Sequence, residues 1–84
     1  MFAELISENI EDVVNKYGYE IKIEKRDNNY DLFLIYPDYC LNDPLRIMTF
    51  SDKYTKQEML RESDVVREIL EIIKRNKKVY IIQI

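Results

Sequence analysis

The chain has no histidine. The commonest general base, the commonest zinc ligand and the usual partner of a catalytic serine or cysteine are therefore missing together. There is one glycine, Gly18. Loops that cradle phosphates need several glycines for close backbone approach, so nucleotide binding through such loops is excluded. The single cysteine, Cys40, cannot close an internal disulfide. Asp38 and Asp43 flank it, and reactive thiolates need the opposite charge nearby. No apolar run reaches the about eighteen residues of a membrane-spanning helix. The first lysine, Lys16, comes after four acids, unlike the positive start of a secretory leader. These features predict a reducing cytoplasmic setting, in a bacterial host or an infected cell.

What is present describes a folded domain. Of the 84 residues 46% are hydrophobic, 12% aromatic and 35% charged, which is a globular composition. One domain fits this length. Net charge is −3, from 13 basic and 16 acidic residues. That is too mild by itself to establish mimicry of nucleic acid, and it argues against a dedicated nucleic-acid binder, which normally shows a basic face. The charge is unevenly placed, with Glu4, Glu8, Glu11 and Asp12 early and KRNKK at 74–78 late.

Phe2, Leu5, Ile6, Ile10, Val13, Val14 and Tyr17 recur at steps of three and four. They predict an amphipathic helix over 3–16, closed by Gly18. YEIKIEKR then alternates with period two, a strand with one wet face. Asp27, Asn28 and Asn29 predict a hairpin turn. YDLFLIY is apolar on both faces after Asp31, which predicts a central strand. YPDYCLNDP reads as a long loop, because both prolines deny the ladder a donor. LRIMTF, 45–50, is a third strand. Thr55-Lys56-Gln57-Glu58 fits a capping box that opens a long helix to about Arg75. Ser63 and Asp64 prefer caps and are candidate break points within it. Asn76-Lys77-Lys78 reads as a turn, and VYIIQI as a fourth strand. The expected architecture is α+β, a single domain of αβββαβ order. Its mixed four-stranded sheet, packed by two helices, would contain a right-handed βαβ crossover.

Several chemistries fail at named residues. The order αβββαβ and Pro37-Asp38 suggest a PD-(D/E)xK nuclease, but no acid after Asp38 has a lysine two residues on. The αβββα beginning also suggests a double-stranded RNA binding domain. The second helix there should open with bases, and here it opens Thr55-Lys56-Gln57-Glu58-Met59. KRNKK suits the C-terminal end of a helix dipole better than a phosphate site.

The arrangement of LISENIEDVVNKYGYEIKIEK as helix then strand, with a capped helix after the third strand, resembles the small acidic anti-CRISPR inhibitors of phages. That resemblance implies occlusion of an effector's nucleic-acid-binding groove by acidic side chains. From the residues themselves, seven tyrosines favour an interface. The expected function is a non-enzymatic inhibitor from a phage or mobile element, bound to a protein partner, without cofactor or metal. The candidate contact residues are Tyr36, Asp38, Tyr39, Asp43 and Tyr54, with the helix acids Glu4, Glu8, Glu11 and Asp12. The alternatives are a homodimer paired through VYIIQI and a metal-dependent nuclease remnant using Asp38, Asp43 and Asp52. Direct nucleic-acid binding through KRNKK is a further one.

Overall fold

The structure, a computed structural model, describes residues 9–83. Helix α1, Ile10–Lys16, leads into strands β1, Glu20–Arg26, β2, Asn29–Ile35, and β3, Leu45–Ser51. Two helices follow, α2 at Lys56–Arg61 and α3 at Ser63–Gln83. The three strands form one antiparallel sheet in the order β1-β2-β3.

Local chemistry places each boundary. The Asn9 side chain accepts from the Asp12 amide at 2.9 Å and caps α1. Glu11 and Asp12 lie in its first turn and Lys16 in its last, as the helix dipole favours. Gly18 closes it with φ +89°, where a β-carbon would be strained and would also sit 3.3 Å from Pro37. The lone glycine thus joins a turn to a close approach of two segments. A two-residue turn, Asp27 and Asn28, joins β1 to β2, with Asp27 at φ 56°. Aspartate is one of the few side chains that tolerate this region. In the capping box of α2, Glu58 N–H donates to Thr55 Oγ1 at 3.1 Å and Thr55 N–H donates to Glu58 Oε1 at 2.8 Å.

The helices cover one face of the sheet. Tyr19, Leu32, Leu34 and Phe50 point from the sheet side into a core completed by Val14, Met59, Val65 and Ile69. The other face carries Glu20, Lys22, Glu24, Arg26, Asp31 and Thr49, with Phe33 and Ile35 half-buried among them, the alternate positions of the same strands. β2 is central, as its apolar pattern predicts. β3 contains a bulge, so that Ile47 and Met48 both stand against Leu32 on the core side.

Two expectations are corrected. The anticipated helix from 56 to 75 is two helices, because Glu62 is extended at φ −62°, ψ 125°. Its carbonyl accepts from Val66 N–H at 3.0 Å and so starts α3. In an unbroken helix, Met59 and Leu60 would lie roughly 145° around the axis from the set Val65, Ile69, Ile72 and Ile73. The break lets both sets face one core.

The second correction concerns VYIIQI. No fourth strand, no parallel pairing and no βαβ crossover occur among the described residues, and α3 continues through Val79 to Gln83. The sheet has three strands and is antiparallel rather than mixed. Asn76-Lys77-Lys78 contains neither glycine nor proline, so nothing stops a helix already propagating from Ser63. A short apolar run takes either structure according to context. KRNKK consequently lies inside a helix rather than at its C-terminal end, and the dipole explanation for it lapses. The pairing of two copies through a C-terminal strand loses the strand it needed.

Ile69 is fully buried at the centre of the α3 contact. Ile69→Ala is expected to cost about 2–5 kcal/mol. Urea denaturation checks this, with a lower midpoint and an unchanged slope.

Candidate functional site

The β2–β3 connection is anchored at its Pro37 end. Pro37 is buried against Gly18, and Asp38–Cys40 form a single 3-10 turn. Cys40 N–H donates to the Pro37 carbonyl at 3.0 Å, and Leu41 N–H to the Asp38 carbonyl at 3.2 Å. Leu41 then adopts φ 52°, ψ 33°, the left-handed region. That conformation costs a non-glycine residue about 1–2 kcal/mol. Its side chain is nevertheless 94% exposed, so burial does not offset the cost. Tyr39, beside it, is 67% exposed. Leu45 continues the apolar surface at the start of β3.

Tyr36 has a different role. It packs on the core, with its ring 5.6 Å from that of Tyr19 at a 52° tilt. The Tyr19 hydroxyl accepts from Asn76 Nδ2 at 2.8 Å, which ties the loop base to α3. Burial pushes the Tyr19 phenol above its ordinary range, against the lowering effect of Asn76. Between loop and helix lies a cleft of about 280 Å³. Tyr36, Leu45 and Ile72 give it apolar walls, and Asn42, Glu68 and Arg75 give it polar ones.

The expected contact residues are only partly brought together. Tyr36, Asp38, Tyr39 and Asp43 share the loop end of the sheet. Tyr54 follows β3 at the opposite end, beyond a seven-residue strand, hence roughly 20 Å away. There its ring packs on Phe50 at 5.1 Å. Glu11 is engaged by Lys56, Nζ to Oε2 at 3.3 Å. Asp12 is exposed. Glu4 and Glu8 lie outside the described residues. Asp52 is separated from Asp38 and Asp43 by the length of β3, so these three acids form no common cluster. Among the described residues no three acids or cysteines are placed to hold a metal ion. Leu41 and Leu45 are the residues that sequence reasoning missed. An apolar side chain inside a proline-bounded polar turn was the available signal.

The most perturbed acid lies elsewhere, on the open face of the sheet. Asp31 is 4% exposed. Arg26 donates to it twice, from Nε at 2.8 Å and Nη2 at 3.2 Å, and Thr49 Oγ1 donates at 2.7 Å. Arg26 first, then Thr49, lowers its pKa to about 2. Both carboxylate oxygens are occupied, so the group clamps three strands together and is not poised for proton transfer.

No protein-family model, curated protein or solved structure matches the chain. The site is therefore read from its own chemistry. It offers exposed apolar and aromatic side chains on a turn closed by two backbone hydrogen bonds, and a small cleft beside them.

Two measurements follow from these geometries. Leu41→Gly is expected to raise stability by about 1 kcal/mol, because it relieves the left-handed strain without removing buried surface; thermal unfolding checks it. Asp31 is lowered in the fold relative to the unfolded chain, so its contribution is present above about pH 4. It is lost as pH falls through about 2. A carboxyl NMR titration should place the Asp31 midpoint there, and Asp31→Asn should flatten the stability profile below pH ~4.

Proposed function

We propose that the chain is a non-enzymatic protein-binding module that works by covering a partner's surface with the loop end of its sheet. The observation that carries this is Leu41, 94% exposed on a left-handed backbone. Folding alone favours glycine or asparagine at such a position. A leucine there adds strain and exposed apolar area, and both are useful only when the side chain is buried by something else. Tyr39 supplies the rigid amphipathic ring common at binding hot spots. The cleft between loop and α3 gives an adjoining recess for a partner's side chain. Asp38 and Asp43 form a polar rim around the apolar centre, the usual order of an interface.

The absence of histidine supports the non-enzymatic part of the reading. The inhibitory form is occlusion of a nucleic-acid-binding effector. It differs from general binding in one respect, because the partner's nucleic acid and this chain would then compete.

The partner is to be isolated by co-purification from the native cell, and its affinity measured for the wild type and for the pair Tyr39→Ala, Leu41→Asp. The pair is expected to lose at least about 2 kcal/mol of binding, or some thirty-fold, with unfolding temperature no lower than that of the wild type. Undiminished affinity in the folded variant contradicts the proposal.

A further inference from the structure

With three strands in the order β1-β2-β3, the sheet has two open edges among the described residues. They are not alike. β3 follows Pro44 and is interrupted by the bulge at Ile47. Bulges and prolines are the common means of keeping an edge from pairing with another chain. β1 has neither device, and its seven residues pair with β2 without a break in register.

The hairpin decides which groups of β1 are free. A two-residue turn makes Arg26 and Asn29 a hydrogen-bonded pair. Hydrogen-bonded and open positions then alternate along the strand. Glu20, Lys22, Glu24 and Arg26 direct their N–H and C=O groups to β2. Ile21, Ile23 and Lys25 direct theirs outward, to the open edge.

The side chains add a second constraint. On the uncovered face, β1 presents Glu20, Lys22, Glu24 and Arg26, alternating in sign. Suppose a second β1 docks antiparallel about Ile23. Ile23 then faces its own copy, and Ile21 faces Lys25. Both are hydrogen-bonding pairs built from outward-pointing groups. Lys22 falls opposite Glu24, and Glu20 opposite Arg26, in the closer non-hydrogen-bonded positions. Every charge on that face meets its opposite. Moving the centre of symmetry to Lys22 keeps the hydrogen-bond phase but sets lysine on lysine and glutamate on glutamate. Moving it to Glu24 sets glutamate on glutamate and Lys22 on Arg26. Of the in-phase registers, those centred on Ile21 and Ile23 are free of like-charge pairs, and only the one centred on Ile23 also pairs all seven residues of β1.

Exposure is compatible with such a contact. The side chains of Lys22 and Glu24, bridged to each other at 3.1 Å, are 57% and 50% exposed. The Arg26 side chain stays 54% exposed while it holds Asp31. Ile21 and Ile23 are half-buried at the margin of the core, and a neighbouring strand would complete their cover.

We infer that β1 pairs antiparallel with β1 of a second copy about Ile23, making a two-fold dimer with one continuous sheet. This goes beyond the loop-end reading and does not depend on it. A two-fold contact of this kind is closed, because each edge satisfies its counterpart and no third copy can add. The loop ends are left at opposite ends of the dimer.

Sedimentation over a concentration series tests the pairing, together with amide exchange at each concentration. The wild type is expected to dimerise reversibly, more weakly as salt rises. Protection of the Ile21, Ile23 and Lys25 amides should grow with concentration. Lys22→Glu places like charges in two symmetric pairs and should weaken the dimer on the order of ten-fold or more. Adding Glu24→Lys to it reverses both partners and should restore association. The substituted side chains are exposed, and circular dichroism confirms that each variant is folded. A wild type that stays monomeric with unprotected edge amides overturns the inference. So does a dimer indifferent to Lys22→Glu, or one that the double change fails to rescue. Protection of these amides only on addition of a different protein also overturns it, and assigns the edge to a foreign strand.

Discussion

Leu32 and Leu34, in the middle strand, are wholly removed from solvent by helices that lie on one side of the sheet only. This one-sided burial is the constraint from which the rest follows. Strands with a single covered face must alternate, and β1 does so from Glu20 to Glu24. The uncovered face must then solve its own problem at the centre of β2. Asp31 solves it by accepting from Arg26 and Thr49, so that a carboxylate 4% exposed keeps both oxygens satisfied. A sheet of three strands also has ends and edges that no helix reaches among the described residues. The two functional proposals occupy those places, one the β2–β3 loop and the other the β1 edge.

The helical side is organised by the same requirement. α1 is short and is held by its caps at Asn9 and Gly18. α2 and α3 cannot form one straight rod and bury both Met59 and Ile69, so the chain extends for a single residue at Glu62. The hydroxyl of Tyr19, deep in this core, finds Asn76 on α3. That bond and the ring of Tyr36 fix the base of the loop. The exposed part of the loop, Tyr39 and Leu41, is thereby presented on a stiff support. Pre-ordering of that kind lowers the entropic cost of binding.

Much of this was legible in the residues. The capping box at Thr55, the closing glycine at 18, the turn at Asp27 and Asn28 and the three strands all rest on local chemistry, and each is where that chemistry put it. The C-terminal run was not legible. Val79 and its neighbours have strand propensity, but propensity is overridden when a long helix arrives with no breaker before them. The break at Glu62 was half legible, since Ser63 and Asp64 marked the place without showing that it was needed. The candidate site divided similarly. The loop could be found from its prolines, whereas the left-handed Leu41 and the separation of Tyr54 from Tyr39 depend on backbone angles and strand lengths. Grouping tyrosines by type joined two ends of the molecule. The bulge at Ile47, which blunts β3 and leaves β1 as the continuous edge, has no sequence signature here.

The central claim is that, among the described residues, the sheet stops at three strands and leaves β1 open. Backbone carbon chemical shifts across Val79–Gln83 test it most directly. Shifts displaced in the helical sense throughout that segment agree with the account. Strand-type shifts there, with nuclear Overhauser contacts from those residues to Ile21, Ile23 or β3, would mean a fourth strand fills an edge and would contradict it.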